Sequence, residues 1–199
     1  MTTAAGSRGR RPGAPDTRAE ILAAARSSFA SKGFASTTIR AIAAQAGVDS
    51  ALVHHYYGSK DDLFMAALQL PVDPRRRLAP VLALGPDGAG ERLIRTFLEV
   101  WDDPANQLSF LGLFRSLLEP SAERLLSEGF MPVVLGPVGR ELGIDRPELR
   151  MPLVASQLIG LILTRYVFGL EPLASMGPDQ LVATYGPTLQ RFLTGDLPT

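Results

Sequence analysis

The stretch TTIRAIAAQAGVDSALVHHYY, residues 37 to 57, constrains this chain more than any other. Ile39, Ile42, Ala43 and Ala46 step by three and four, which marks the apolar face of a short helix. Gly47 then supplies the residue type that ends a helix in a left-handed conformation. Val48 is placed to fill the space beneath the turn, and Asp49 to accept from the free N–H groups of a second helix. In that second helix Val53 and Tyr57 lie one turn apart and face inward. At about 100° per residue, Ala51 and His55 point the opposite way, with Leu52 and His54 on the flanks and Ser50 near the N-terminal end. A short helix held by its back, with small, polar and aromatic side chains in front, is suited to a major groove.

The surrounding residues extend the pattern. Helix 1 is expected from Thr17, with Thr17 and Glu20 as a capping box and Ile21, Leu22, Ala25 and Phe29 as its inner stripe. Gly33 should stop it, with Phe34 folding back on Phe29. Gly58 breaks the chain after the second helix of the pair. Ser59 and Asp62 then start a fourth helix whose Leu63, Phe64, Ala67 and Leu68 face inward. That helix would begin beside DNA and end at the body of the protein, as a lever between them.

The run T-T-x-R-x-I-A-x-x-A-G-V-x-x-x-x-V-x-x-x-Y-x-S-K-x-x-L, from Thr37 to Leu63, resembles the DNA-binding domain of the TetR family of bacterial transcriptional regulators. The resemblance covers roughly residues 15 to 75. His54 departs from it, standing where the family usually has Tyr. The implied fold is all-α: an N-terminal three-helix helix-turn-helix DNA-binding domain and a larger helical domain for ligand binding and dimerisation. Residues 1–14 are expected to form a disordered basic arm, 15–75 the DNA-binding domain and 76–199 the effector and dimerisation domain.

Geometry and resemblance together assign roles. Thr38 should bind phosphate at the start of the supporting helix, and Arg40 should reach a base edge. Ser50, Ala51, Leu52 and His55 are expected at base edges, and His54, Tyr56 and Lys60 at the DNA backbone. A lysine in a first helical turn is mildly unfavourable against the helix dipole, which favours a functional reason for Lys60. In the arm, Arg8, Arg10 and Arg11 are either a minor-groove tail or an ordinary solvated one. Arg75, Arg76 and Arg77 follow the Pro71–Pro74 boundary and are read as solvated or interdomain rather than DNA contacts.

Charge supports this division. The net charge of zero conceals eight Lys or Arg against five Asp or Glu in residues 1–68, a net +3, and twelve against fifteen in residues 69–199, a net −3. A basic head on an acidic body fits contact with nucleic acid at the head alone.

Beyond residue 75 the chain reads as helical, punctuated at Pro86–Gly90, Asp103-Pro104, Glu119-Pro120, Pro132 and Gly136-Pro137. Phe97, Trp101, Phe110, Phe114 and Tyr166 are candidate linings of an effector pocket, although aromatics at helical spacing are more often plain core. Arg165, inside an apolar helix, needs a partner, and an internal one is favoured over a ligand. The last two helices, from about Pro147 to Phe168 and from Pro178, are expected to hold more apolar surface than one monomer covers, which implies a homodimer through them. In the final helix the stripe is Leu181, Val182, Tyr185, Leu189, Phe192 and Leu193.

Other classes find little purchase. The chain has no cysteine, and its only two histidines, His54 and His55, are helix neighbours that point apart, so no metal site is expected. No phosphate loop, nucleophile elbow or histidine-based acid–base constellation is present, so neither an enzyme nor a cofactor is expected. The most apolar run, Leu158–Leu163, is far shorter than the ~20 residues that span a bilayer, and the polar N-terminus lacks a signal sequence. The expected function is therefore a cytoplasmic, sequence-specific regulator. It would act as a repressor released from a palindromic double-stranded operator by an unknown small-molecule effector. The alternatives are a regulator without an effector, or a non-specific DNA-binding protein.

Overall fold

The computed structural model describes residues 16–116 and 125–198, and every regular element among them is helical. The first four helices are α1 (Thr17–Ser36), α2 (Ile39–Gln45), α3 (Ser50–Tyr57) and α4 (Lys60–Leu68). The next three are α5 (Pro74–Leu82), α6 (Ala89–Trp101) and α7 (Pro104–Ser116). They are followed by α8 (Leu125–Leu135), α9 (Gly136–Glu141), α10 (Pro147–Leu161, running on to Val167) and α11 (Pro178–Thr194). The arginines of the N-terminal arm lie outside the described residues.

The first five helices start on side-chain caps. Asp16, Thr38, Asp49, Ser59 and Asp73 accept from the backbone N–H of Ala19, Ala41, Ala51, Asp62 and Arg75, at 3.4, 3.1, 2.7, 3.0 and 3.0 Å. Each such cap stabilises its helix by about 1 kcal/mol. At α1 the structure corrects the expected capping box, because Asp16 rather than Thr17 is the cap. The aspartate precedes the first helical turn and its short carboxylate reaches the orphan N–H directly.

The head packs around α1. Ile21, Ala25 and Phe29 are buried with Ile42, Val53, Leu63 and Phe64. Phe29 and Phe34 stack at 5.7 Å, and both meet Phe64 edge-on, at 5.2 and 5.1 Å. Gly33 takes φ +77° to turn the chain for this contact. Buried Thr37 places its hydroxyl 2.7 Å from the Gly33 carbonyl and 3.1 Å from that of Ser28, tying the end of α1 to the start of α2.

In the body, α6 and α11 approach so closely that two glycines are required. A Cβ on Gly90 would lie 2.4 Å from the Gly186 carbonyl oxygen and 2.5 Å from the Gln190 nitrogen. Gln190 seals the contact by accepting from the Gly90 N–H at 2.9 Å and donating to the Pro86 carbonyl at 3.0 Å. Leu181, Val182, Leu189 and Leu193 are buried in the core of the protomer, and Tyr185 and Phe192 pack against it. The stripe of the last helix is thus consumed within one protomer, and a partner would have to meet a different face. Arg150, 4% exposed, fixes the far end of α11 by donating to the Phe192 and Gly195 carbonyls at 2.9 and 3.0 Å while pairing with Asp145.

The chain from Leu125 to Leu135 is wound with the wider π-type turn and contains Pro132. Proline removes a backbone donor and crowds the preceding turn, which disfavours a regular α-helix. This helix lies against the head: a Cβ on Gly129 would fall 2.3 Å from the Phe64 ring, and one on Gly33 1.8 Å from the Glu128 carboxylate.

Gly90→Ala should force α6 away from a backbone that cannot yield. A loss of about 3 kcal/mol, at the upper end of ordinary overpacking, is expected in chemical denaturation. Glycine 85, where an added Cβ meets nothing within 4 Å but φ is +76°, offers a control of backbone strain without overpacking.

Candidate nucleic-acid interface and interior cavity

Local sequence builds the two faces of the α2–α3 pair. Gly47, at φ +68°, turns the chain between α2 and α3. Val53 and Tyr57 fix α3 from behind: Val53 is completely buried, and the Tyr57 hydroxyl donates to the Arg18 carbonyl at 2.8 Å. The Arg18 guanidinium lies over the Tyr57 ring at 5.6 Å, which gives that arginine a structural task. In front, Ala51, His54, His55 and Tyr56 are exposed, and Ser50 and Leu52 are half-buried. The rings of His55 and Tyr56 meet edge-on at 5.5 Å. Thr38 and Arg40 are exposed on the neighbouring α2.

Two side chains are more engaged than the sequence suggests. His54 Nδ1 lies 2.7 Å from the Gly58 carbonyl, so this nitrogen donates and Nε2 faces outward. The Lys60 ammonium sits 4.3 Å from the centre of the Phe34 ring and 3.4 Å from the Ala35 carbonyl. Desolvation there lowers the Lys60 pKa, against the opposing pull of Asp61. A cation–π contact therefore accounts for a lysine in a helical first turn without invoking DNA.

Behind this face, Asp62 links the head to α5. Arg75 donates to Asp62 and to Asp73, each at 2.8 Å. The arginine run after Pro71–Pro74 thus contains one bridge between α4 and α5. The Asp62 carboxyl is held below its ordinary range, first by the Ser59 hydroxyl and then, against the cost of burial, by Arg75.

The body holds a partly open apolar cavity of about 710 Å³ between the α4–α5 link, α6, α8 and α10. Phe97, Trp101 and Phe110 line it; the Phe114 side chain lies outside the described residues. Trp101 stacks on Phe97 at 5.8 Å and on Phe110 at 4.6 Å. Most of the wall was missed from sequence, including Leu68, Leu70, Phe130, Met131 and Ile159. The apolar character of α10 all round its circumference was the available signal, since one side of it faces this space.

Tyr166 and Arg165 do not line that cavity. They border a separate polar pocket of about 230 Å³, with Trp101, Asp102, Gln107 and Ala174. Arg165 donates to the carbonyls of Leu173, Ala174 and Met176, at 2.6, 3.2 and 2.8 Å, and pairs with Asp102 at 3.4 Å. Its partners are internal. The Tyr166 hydroxyl donates to Asp102 at 2.9 Å, and its pKa is raised by burial and by that carboxylate. This cluster anchors the α10–α11 connection to the end of α6.

The two halves are those of a DNA-binding transcriptional regulator. Residues 21–67 match the sequence profile described as "Bacterial regulatory proteins, tetR family", and residues 87–193 that described as "Tetracyclin repressor-like, C-terminal domain". The chain belongs to the TetR family of bacterial transcriptional regulators.

It is 33% identical over 165 residues to the HTH-type transcriptional dual regulator CecR of Shigella flexneri, covering 72% of this chain and 73% of that one. It is 34% identical over 85 residues to the HTH-type transcriptional regulator BetI of Brucella anthropi. That match covers 35% of this chain and spans less than half, 44%, of the relative. Among solved structures, a TetR-family regulator from Streptomyces coelicolor A3 is 40% identical, with 93% of this chain and 98% of that chain covered and a TM-score of 0.46. Among the described residues no helix is long and apolar enough to cross a membrane.

The pH dependence of the head-to-body bridge has a definite sign. A depressed folded pKa means the Asp62 contribution is whole above the ordinary value of 3.8 and disappears as pH falls through the lower folded value. Thermal melts should show Asp62→Ala less stable than the parent at neutral pH, with the gap closing in acid.

Proposed function

We propose that this chain is a homodimeric repressor that reads a palindromic operator through α3 and is released when a small molecule occupies the cavity. The observation that carries this reading is the placement of α4. Its first residue, Lys60, adjoins the reading face, and its last, Leu68, lines the cavity. A ligand that prefers one arrangement of the cavity wall therefore acts on the helix that positions the head. A tenfold loss of DNA affinity needs only about 1.4 kcal/mol of such preference. The cytoplasm is the compartment in which this reading places it.

At the DNA, Arg40, Ser50, Ala51, Leu52 and His55 meet base edges, while Thr38, His54, Tyr56 and Lys60 serve the phosphates. Lys60 must leave the Phe34 ring to do so. The division falls at residues 15–75 and 76–199, between the two profile matches where Pro71–Pro74 separates α4 from α5.

Dimerisation uses the outer faces of α10 and α11. In α11 this face is Ala183, Thr184, Pro187 and Thr188, all exposed on the side opposite the buried stripe. Small side chains of this kind permit close helix contact, and half-sites about 34–36 Å apart would follow from a two-fold pair of heads.

Binding of the purified protein to its own upstream DNA, titrated with random competitor, tests the reading. One dimer per site should survive competitor. Arg40→Ala and His55→Ala should each lose about 1–3 kcal/mol of discrimination, while Tyr56→Phe should weaken specific and random DNA alike. Binding no tighter than to random DNA, both here and in a genome-wide selection of bound fragments, would leave a non-specific DNA-binding protein.

A further inference from the structure

The cavity differs from an ordinary solvent-filled cleft in its charge. Among its described lining residues Arg77 alone is charged, and no carboxylate is present. The neighbouring Arg75 is occupied by Asp62 and Asp73, whereas no described residue hydrogen-bonds or pairs with the Arg77 guanidinium. Arg77 is exposed at the rim, beside the α4–α5 link, and the chamber behind it is walled by side chains such as Phe97, Met131 and Ile159.

This arrangement selects among ligands by the cost of desolvation. An apolar tail fills the chamber with the full hydrophobic gain. A cationic head has no counter-charge among the described walls, and burying one unpaired is costly. A neutral head leaves Arg77 unused. A carboxylate meets a planar, permanently charged fork that it can engage with two hydrogen bonds.

We infer that the cavity takes an amphipathic carboxylate, with its tail among the aromatic and aliphatic walls and its head at Arg77. This inference rests on the effector reading above and gives it a ligand class. It also places the head group two residues from Arg75, which holds α4 through Asp62. The charged end of the ligand would thus sit at the joint with the reading head, and the tail would supply most of the affinity.

Trp101 is the only tryptophan in the chain and borders the cavity, so its emission reports occupancy in the full-length protein. The probes are dodecanoate, dodecanol and dodecyltrimethylammonium, each used below its micelle concentration, with Arg77→Gln as the variant. Arg77 is exposed, so the variant should fold, and its melting curve verifies this. The parent should bind dodecanoate about tenfold more tightly than either other probe, a difference of about 1.4 kcal/mol. In Arg77→Gln the order should reverse, with dodecanol binding unchanged and dodecanoate the weaker. Equal binding of all three, or a carboxylate preference that survives in the variant, overturns the head-group assignment and leaves the effector reading standing. Failure of every probe to change Trp101 emission or melting temperature removes both.

Discussion

The ring of Phe64 belongs to two structures at once, and much of the molecule depends on that. On one side it completes an aromatic trio with Phe29 and Phe34, which closes the core of the reading head. On the other it faces Gly129 of α8 so closely that no side chain fits between them. Helix α8 in turn gives Phe130, Met131 and Val134 to the cavity. The head and the apolar cavity are therefore not connected by a linker alone. They share a packed contact, and close-packed interiors pass displacement rather than absorb it.

That contact works beside the α4 route. Leu68, the last residue of α4, lines the cavity, and the Asp62–Arg75 pair ties the same helix to the start of α5. Helix α3 is then held by Val53 and by Tyr57, whose hydroxyl reaches back to α1. The exposed side chains of Arg40, Ala51, His55 and Tyr56 contribute little to the fold, whereas Thr38 caps α2 and His54 reaches the Gly58 carbonyl. Lys60 is engaged as well, because the ring that holds it belongs to the head's own core.

The body shows how similar sequence patterns serve different ends. Phe97, Trp101 and Phe110 lie at ordinary helical spacing, yet each borders an interior space. The stripe of α11 has the same periodicity and is plain core, locked to α6 by the Gly90–Gly186 approach. Two arginines set among apolar residues, the buried Arg150 and the half-buried Arg165, both prove to be clamps on backbone carbonyls. Arg77, which looks like one more member of a solvated basic run, is the arginine that borders the cavity without a partner among the described residues.

The sequence by itself determined the helix-turn-helix and its two faces. Asp49 and Ser59 cap as their positions demand, Gly47 and Gly58 turn where a positive φ is needed, and Ala51 and His55 face out because Val53 and Tyr57 face in. All of these are settled by interactions within about one helical turn, where spacing alone specifies geometry. Even there a close competitor escaped notice, since Asp16 rather than Thr17 caps α1. Only the tertiary structure decided that the terminal nitrogens of Arg165 are engaged by Asp102 and the 170s carbonyls, that Arg150 holds the end of α11, and that a chamber opens between α6, α8 and α10. Those outcomes join residues dozens of positions apart. Helical periodicity says which side of a helix turns inward, but whether that side meets another side chain or an empty space depends on how far its neighbours can approach.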